Sequence, residues 1–443
     1  MNSSVESIVP FNQFIDSAQG DHPHGNRGDW LSEIKEKGRI EFYKLGWPSP
    51  KFESWRYTNL NKLAKTQFFL PKDIELAKLP YRDILPVDAP KIALVNGKFN
   101  RELSDLSTIS EGILVNNFQE MSDEQRALFS LENPTTLPKE GLPVKALNDA
   151  ILSDVLFIEI RPGWQSDVPL HIVSIGCGDH VGFSSKIFVS AGENSHLDIV
   201  ESHAGEYEST YFSSCVSNID IKAGARLGHY KLQNDTNTST HLALTQTNIE
   251  ADAVYDNFVM SVGGILSRNE VRSFIAASGV DCCVNGAYLG TSNQHIDNTT
   301  FIEHAAEGSQ SREVYKGVLA DHAKGVFQGK IFVHPEAQKT DGYQMNRALL
   351  LSDKAEIDSK PELEIYADDV RCSHGATVGE LEEEHLFYLK ARGINAESAR
   401  RLLVEAYIGE VIDEIQSQSI REALSKLASD LLKKKLFERS NER

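Results

Sequence analysis

Ala223-Gly-Ala-Arg-Leu227 returns in altered form as Ala251-Asp-Ala-Val254, Ala277-Ser-Gly-Val280, His322-Ala-Lys-Gly-Val326 and Asp353-Lys-Ala-Glu-Ile357. Each copy places small residues at a tight bend and an aliphatic residue at the entry to a β-prone run. The aliphatic anchors are 27, 26, 46 and 31 residues apart, and 46 is read as near two shorter steps. A recurrence in this range is the mark of stacked coils or blades, each unit burying its apolar face only against its neighbours. A propeller would carry blade signatures such as Trp-Asp pairs, and none is present. The bend-plus-aliphatic unit predicts a parallel β-helix.

Working outward, short β-prone runs such as Val155-Leu-Phe-Ile-Glu-Ile160, Lys186-Ile-Phe-Val-Ser190 and Leu197-Asp-Ile-Val200 alternate with Gly, Asn, Asp and Ser turns between Ile151 and Gly379. Before them the pattern is helical, through Trp30 and Ile40-Glu-Phe-Tyr43 to a stop at Gly46-Trp-Pro48. Glu53-Ser-Trp-Arg-Tyr-Thr58 follows, then a strand Ile92-Ala-Leu-Val95 ended by the turn Asn96-Gly97. Asn133-Pro134 and Leu142-Pro143 predict a loop. After Gly379 the chain turns helical again. Glu380 to Gly393 is acidic first, basic last and closed by Gly. Asn395 caps a second helix through Ile415, and Ser419-Ile-Arg-Glu422 reads as a capping box opening a third. The expected organisation is a helical and mixed region over 1–140, a β-helix core over 141–380 and a helical domain over 381–443, mainly β overall.

The second helix is apolar over a broad arc that includes Tyr407, Ile408 and Val411. Part of that arc suits the end of the β-helix and part suits a protein partner. Packing of the whole arc within the chain is the plainer alternative.

Of the 443 residues, 45 are basic and 64 acidic, for a net charge of −19, which repels phosphate backbones. Lys433-Lys-Lys435 is the one basic run and reads as a solvated helix end, so nucleic acid is excluded. No signal-peptide pattern and no membrane-length apolar stretch is visible. Five cysteines, at 177, 215, 282, 283 and 372, are odd in number and irregularly spaced, as expected of a reducing cytoplasm.

The chemistry-bearing stretch is Asp368-Asp-Val-Arg-Cys-Ser-His-Gly-Ala-Thr-Val-Gly379. In a strand, Cys372 and His374 project from one face. Thiolate beside imidazole suits iron or zinc, but a site of about four ligands needs others from elsewhere. The pair also suits a nucleophile, or plain packing. Cys282 and Cys283, as neighbours, face opposite sides and suit the core. His22 and His24, Asp321-His322, His334 and Glu303-His304 are weaker candidates with no ligand spacing. P-loop, dinucleotide and serine-elbow motifs are absent from the sequence.

Four stretches carry a resemblance to the SufB/SufD family. They are His334-Pro-Glu-Ala-Gln-Lys-Thr-Asp341, Gln344-Met-Asn-Arg-Ala-Leu-Leu-Leu-Ser-Asp-Lys-Ala-Glu-Ile357, the Cys-Ser-His-Gly-Ala-Thr-Val-Gly run, and Leu386-Phe-Tyr-Leu-Lys-Ala-Arg-Gly-Ile394. Glu53-Ser-Trp-Arg-Tyr-Thr58 is similar to the SufD side of that family. So is Cys372-Ser-His-Gly-Ala376 where SufB proteins have Glu-His-Glu-Ala-Thr, and Met345 where they have a cluster-building Cys. The resemblance implies a right-handed parallel β-helix in a non-catalytic scaffold subunit, paired with SufB and contacting the SufC ATPase through its C-terminal helices. Self-pairing as a homodimer is the expectation for the isolated chain. It also implies a transient iron or iron–sulfur cluster at the SufB–SufD interface, with His374 and Cys372 as candidate ligands and nothing tightly bound to the chain alone. Two rivals are a pure adaptor that only joins SufC to SufB, and a β-helical carbohydrate-active enzyme.

Overall fold

The computed structural model describes residues 10–19, 28–72, 84–130, 142–206 and 209–437. The positions of His22, His24 and Asn133-Pro134 lie outside these residues. Among the described residues, sixteen strands from Leu152–Ile160 to Arg371–Gly379 alternate between two sheets, making a β-solenoid of eight turns. Every neighbour along the stack is parallel, so Leu227 pairs with Tyr255, Tyr255 with Cys282, and Gly342 with Cys372. One coil therefore takes 27 to 30 residues at these positions.

This geometry explains the bends and corrects their spacing. Between Tyr211–Ile221 and Arg226–Asn234 the chain turns at Gly224, with φ of +68°, and the next coil turns at Asp252, with φ of +57°. These corners are laddered: Gly224 N–H donates to the Ala251 carbonyl, and Asp252 N–H to that of Ser278. A side chain at Gly224 would meet the Asn194 carboxamide of the coil below at 2.4 Å, so both backbone hand and space require glycine there. His322-Ala-Lys-Gly-Val326 and Asp353-Lys-Ala-Glu-Ile357, however, sit at the opposite corner. The 46-residue step is one and a half coils, not two repeats.

The sheets enclose a lumen that changes character across its width. Ile219, Ile221, Ile249, Ile275 and Leu227 belong to one continuous apolar stack. Other inward positions are polar and buried: Glu201, His203, His229, Lys231, Asn257, Asn298, Thr300, Glu313 and Gln344. Burying such groups costs free energy unless they are paired.

The N-terminal region closes one end and one flank. Lys91–Val95 extends one sheet beside Leu170–Gly176, and Ile113–Asn117 runs antiparallel on Leu152–Ile160. Asn96 and Gly97 both adopt positive φ in the expected hairpin turn. Pro143 lies in the first turn of the helix Leu142–Ala150 rather than in a loop, a position where proline's missing N–H costs nothing. In the stretch 53–58, Trp55 is fully buried, with the Arg268 guanidinium 4.1 Å above its ring. Thr58 Oγ1 donates to Asp297 Oδ2 at 2.5 Å. Gln328 Nε2 donates to the Ser54 carbonyl, and Lys360 pairs with Glu53. The segment straps the outer face of one sheet up to its last strand.

The C-terminal helices fold back over the other sheet. Asn395 caps Ala396–Ile412 by accepting from Ser398 N–H at 2.8 Å. The third helix, Gln418–Leu432, starts at Ser417, so Ser419 stands inside its first turn and the expected capping box does not form. Ile420, Leu424, Leu427 and Leu431 are buried, as the periodicity requires. Among the described residues no helix is long and apolar enough to cross a membrane.

Candidate functional site

Glu356–Ile365 and Arg371–Gly379 are the terminal strands of the two sheets. Among the described residues each is paired on one side only, so the last coil presents two open edges around the mouth of the lumen. Such edges are sites for another chain to add strands. Cys372 and His374 stand on the second of them.

Both point into the mouth. Cys372 is half-buried and packs against the apolar interior, under which Gly342 leaves room for its sulfur. Burial pushes its thiol up, which disfavours the free thiolate. His374, two residues on and on the same strand face, is exposed. It is stacked directly over Gln344 of the preceding coil. Gln344 is fully buried and donates through Nε2 to Glu313 Oε2 at 2.7 Å, while its Oε1 has no partner. Thr300 Oγ1 donates to the other Glu313 oxygen. Burial outweighs these two hydrogen bonds and pushes the Glu313 carboxyl up to about 7. The exposed imidazole thus sits above a carboxamide and a carboxyl that changes charge near neutral pH. Met345 points to the opposite side of its strand, with its methyl end under Gly375.

The other sequence candidates separate. Cys282 is buried inside, and Cys283 faces outward beside Asp281. His334 Nε2 lies 2.7 Å from Glu303 Oε1, and His304 lies 2.8 Å from Ser311 Oγ. Neither pair gathers further ligands at the mouth.

Tyr407, Ile408 and Val411 require a correction. Ile408 is 3% exposed and Val411 0%, packed with Val314, Val318 and Leu349 of the sheet beneath. Tyr407 is half-buried, with Lys316 Nζ 4.7 Å from its ring. Lys316 also pairs with Glu410, and Arg312 binds Glu414 through two hydrogen bonds of 3.0 and 2.9 Å. The arc is wide because this helix packs on a sheet and on the following helix at once. Open apolar surface in this region lies instead at Phe387, 72% exposed, Tyr388, 54%, and Leu402, 41%. Phe387 and Tyr388 belong to Glu383–Ala391, a helix with no buried residue.

Sequence reasoning missed a buried cluster deep in the lumen: Glu201 and His203, six strands below His374 in the same sheet, His229 and Lys231 on the next strand up, and Cys215 and His241 on the facing sheet. Burial alone would raise the Glu201 carboxyl, but Lys231 and His229 outweigh it and hold it well below the usual range. Burial pushes the Cys215 thiol up to about 11 and His241 down to about 3. The signal was available as alternation, Glu201 with His203 and His229 with Lys231, one coil apart.

The family model described as SUF system FeS cluster assembly, SufBD core domain, matches residues 174–407, and that of the SufBD protein N-terminal region matches 19–172. The chain is 28% identical over 389 residues to the iron–sulfur cluster assembly protein SufD of Escherichia coli, covering 86% of this chain and 88% of that one. A SufBD family protein of Synechocystis is 28% identical over 86% and 87% of the two chains. One from Pyrococcus horikoshii is 25% identical over 95% and 96%.

Proposed function

The chain belongs to the SufBD family of iron–sulfur cluster assembly proteins, and we propose that within it this chain is a non-catalytic scaffold subunit whose last coil forms one wall of a nascent-cluster site. The observation that carries this reading is the position of His374, exposed on an unpaired strand edge at the mouth of the lumen. A ligand at such a place is incomplete by itself and is completed by whatever docks on the edge. The partner proposed is SufB, a homologous β-helix whose own strands meet the edges Glu356–Ile365 and Arg371–Gly379. The second proposed partner, the SufC ATPase, is assigned to the open surface at Phe387, Tyr388 and Leu402, since Ile408 and Val411 are used within the chain. The five cysteines are all unpaired, as suits work in the cytosol.

Iron and sulfide are cargo in this scheme. His374 supplies an imidazole nitrogen, whereas burial of Cys372 disfavours the thiolate it would need to bind metal. Cys372 is an auxiliary ligand or a packing residue.

The test is to co-express the complex with His374→Ala or Cys372→Ala and measure iron and acid-labile sulfide per folded complex, with thermal melts alongside. The expected result is loss of cluster with His374→Ala at an unchanged melting temperature, and a smaller loss with Cys372→Ala. Normal iron and sulfide with His374→Ala would remove this residue from the site. A pure adaptor would keep the complex together and show no dependence of cluster yield on either residue.

A further inference from the structure

Glu201, His203 and Cys215 bring a carboxylate oxygen, an imidazole nitrogen and a thiol sulfur within 4.8 Å of one another in the closed interior. They arrive from facing sheets: the first two at alternate positions of His196–Gly205, the third from Tyr211–Ile221. With the strands about 4.8 Å apart, this group is roughly 29 Å from His374 along the solenoid, so it is no part of the mouth. We propose that Glu201, His203 and Cys215 form a binding site for a single divalent transition-metal ion of the zinc and ferrous-iron class, with the neighbouring His241, outside that group of three, moving in to supply a fourth nitrogen.

Three independent features point to a cation. The donor set is mixed oxygen, nitrogen and sulfur, the preference of borderline-soft metals rather than of magnesium or calcium. The separation of His203 Nε2 and Glu201 Oε2 is 3.1 Å. Bonds of about 2.0 Å in a tetrahedron set their ligands about 3.3 Å apart, so an ion fits against this edge with little movement. Last, His241 is fully buried, its ring is edge-on to that of His203 at 4.9 Å, and its Nε2 has no partner. Its Nδ1 is already held by Ser213 Oγ at 2.9 Å and faces Asp235 at 3.4 Å. This is how a metal-bound imidazole is held through its second nitrogen.

The interior here also holds Asp235 and Lys231, whose Nζ is 3.3 Å from Glu201 Oε2. On binding, Cys215 gives up its thiol proton to solvent and ligates as the thiolate, so uptake weakens as pH falls. Without an ion, Glu201 is already served by His229 at 2.7 Å, Ser217 at 3.2 Å, His203 and Lys231, so a purely structural polar network is the reading to be separated.

The experiment uses the full chain carrying Cys372→Ser and His374→Ala, which together silence the mouth. Because the site is enclosed, the protein is unfolded, refolded with cobalt(II) as the probe and freed of excess metal. The expected result is a single cobalt per chain, with a thiolate-to-cobalt charge-transfer band that zinc displaces. Adding Cys215→Ser, which preserves size, abolishes the band while the strand circular-dichroism signal is kept. His203→Ala weakens retention as well. Native refolding with no bound cobalt, or a band that survives Cys215→Ser, would overturn the proposal.

Discussion

Replacing Glu313 by Gln probes the polar lumen where the cost of burying a carboxylate is largest. Glu313 is fully buried, and its pKa rises from 4.5 in the open chain to about 7 in the fold. The folded state thus binds the proton more tightly than the unfolded chain does. Its contribution to stability is complete below about pH 4.5 and is lost progressively as pH rises through about 7. At about 1.4 kcal/mol per pH unit, the native protein gives up about 3 kcal/mol between these limits. Glu313→Gln has no charge to bury and keeps its stability. The geometry accommodates the change: the new carbonyl accepts from Thr300, and Gln344 turns so that its unpartnered Oε1 accepts from the new amide. Paired denaturant unfolding curves from pH 4 to pH 8 should coincide at the acid end and separate by about 3 kcal/mol at the alkaline end, the variant being more stable. A separation that is independent of pH, or one of opposite sign, would refute the argument that an unneutralised carboxylate sits there.

Trp55→Ala should cost about 3–5 kcal/mol, because a fully buried indole and its guanidinium neighbour are lost together, and should expose residues 50–60 to limited proteolysis. Gly317→Ala places a methyl 1.9 Å from the Tyr288 ring and should cost about 1–3 kcal/mol in thermal or denaturant melts, with Tyr288→Ala in the same chain relieving part of it. Val411→Asp should release the helices after Asn395 from the solenoid, seen as lost hydrogen-exchange protection over 396–432 with the strand spectrum retained. Arg312→Ala breaks a more exposed pair with Glu414 and should cost no more than about 1 kcal/mol in the same melts.

The bends and strand runs made the solenoid legible because each is a local signal: a left-handed corner at Gly224 or Asp252, then an inward aliphatic. Which corner a bend occupies is not local. Both corners use the same small residues, so the step from Val280 to Val326 looked like two repeats when it was one and a half coils. Cys372 and His374 were found because they share one strand. Glu201 and His203 also share one strand, but Cys215 joins them from the facing sheet across the lumen, a proximity invisible to any short window. Ile408 and Val411 were ambiguous for a related reason: a helix on a sheet and a helix offered to a partner show the same apolar arc until the sheet is in place.

The parallel stacking has a kinetic consequence. Each coil touches chiefly the coils above and below it, so the solenoid behaves as a one-dimensional lattice in which disorder enters from the ends. The N-terminal end is covered by its own strands and helices, but Glu356–Ile365 and Arg371–Gly379 have a neighbour on one side only. They should be the first strands to open and the last to close. The residues that carry the candidate ligands therefore ride on the most labile turn of an otherwise persistent rod. Whatever seats itself on that turn acts as a cap on the lattice, slowing amide exchange through residues 356–379 and, more weakly, through the coil beneath.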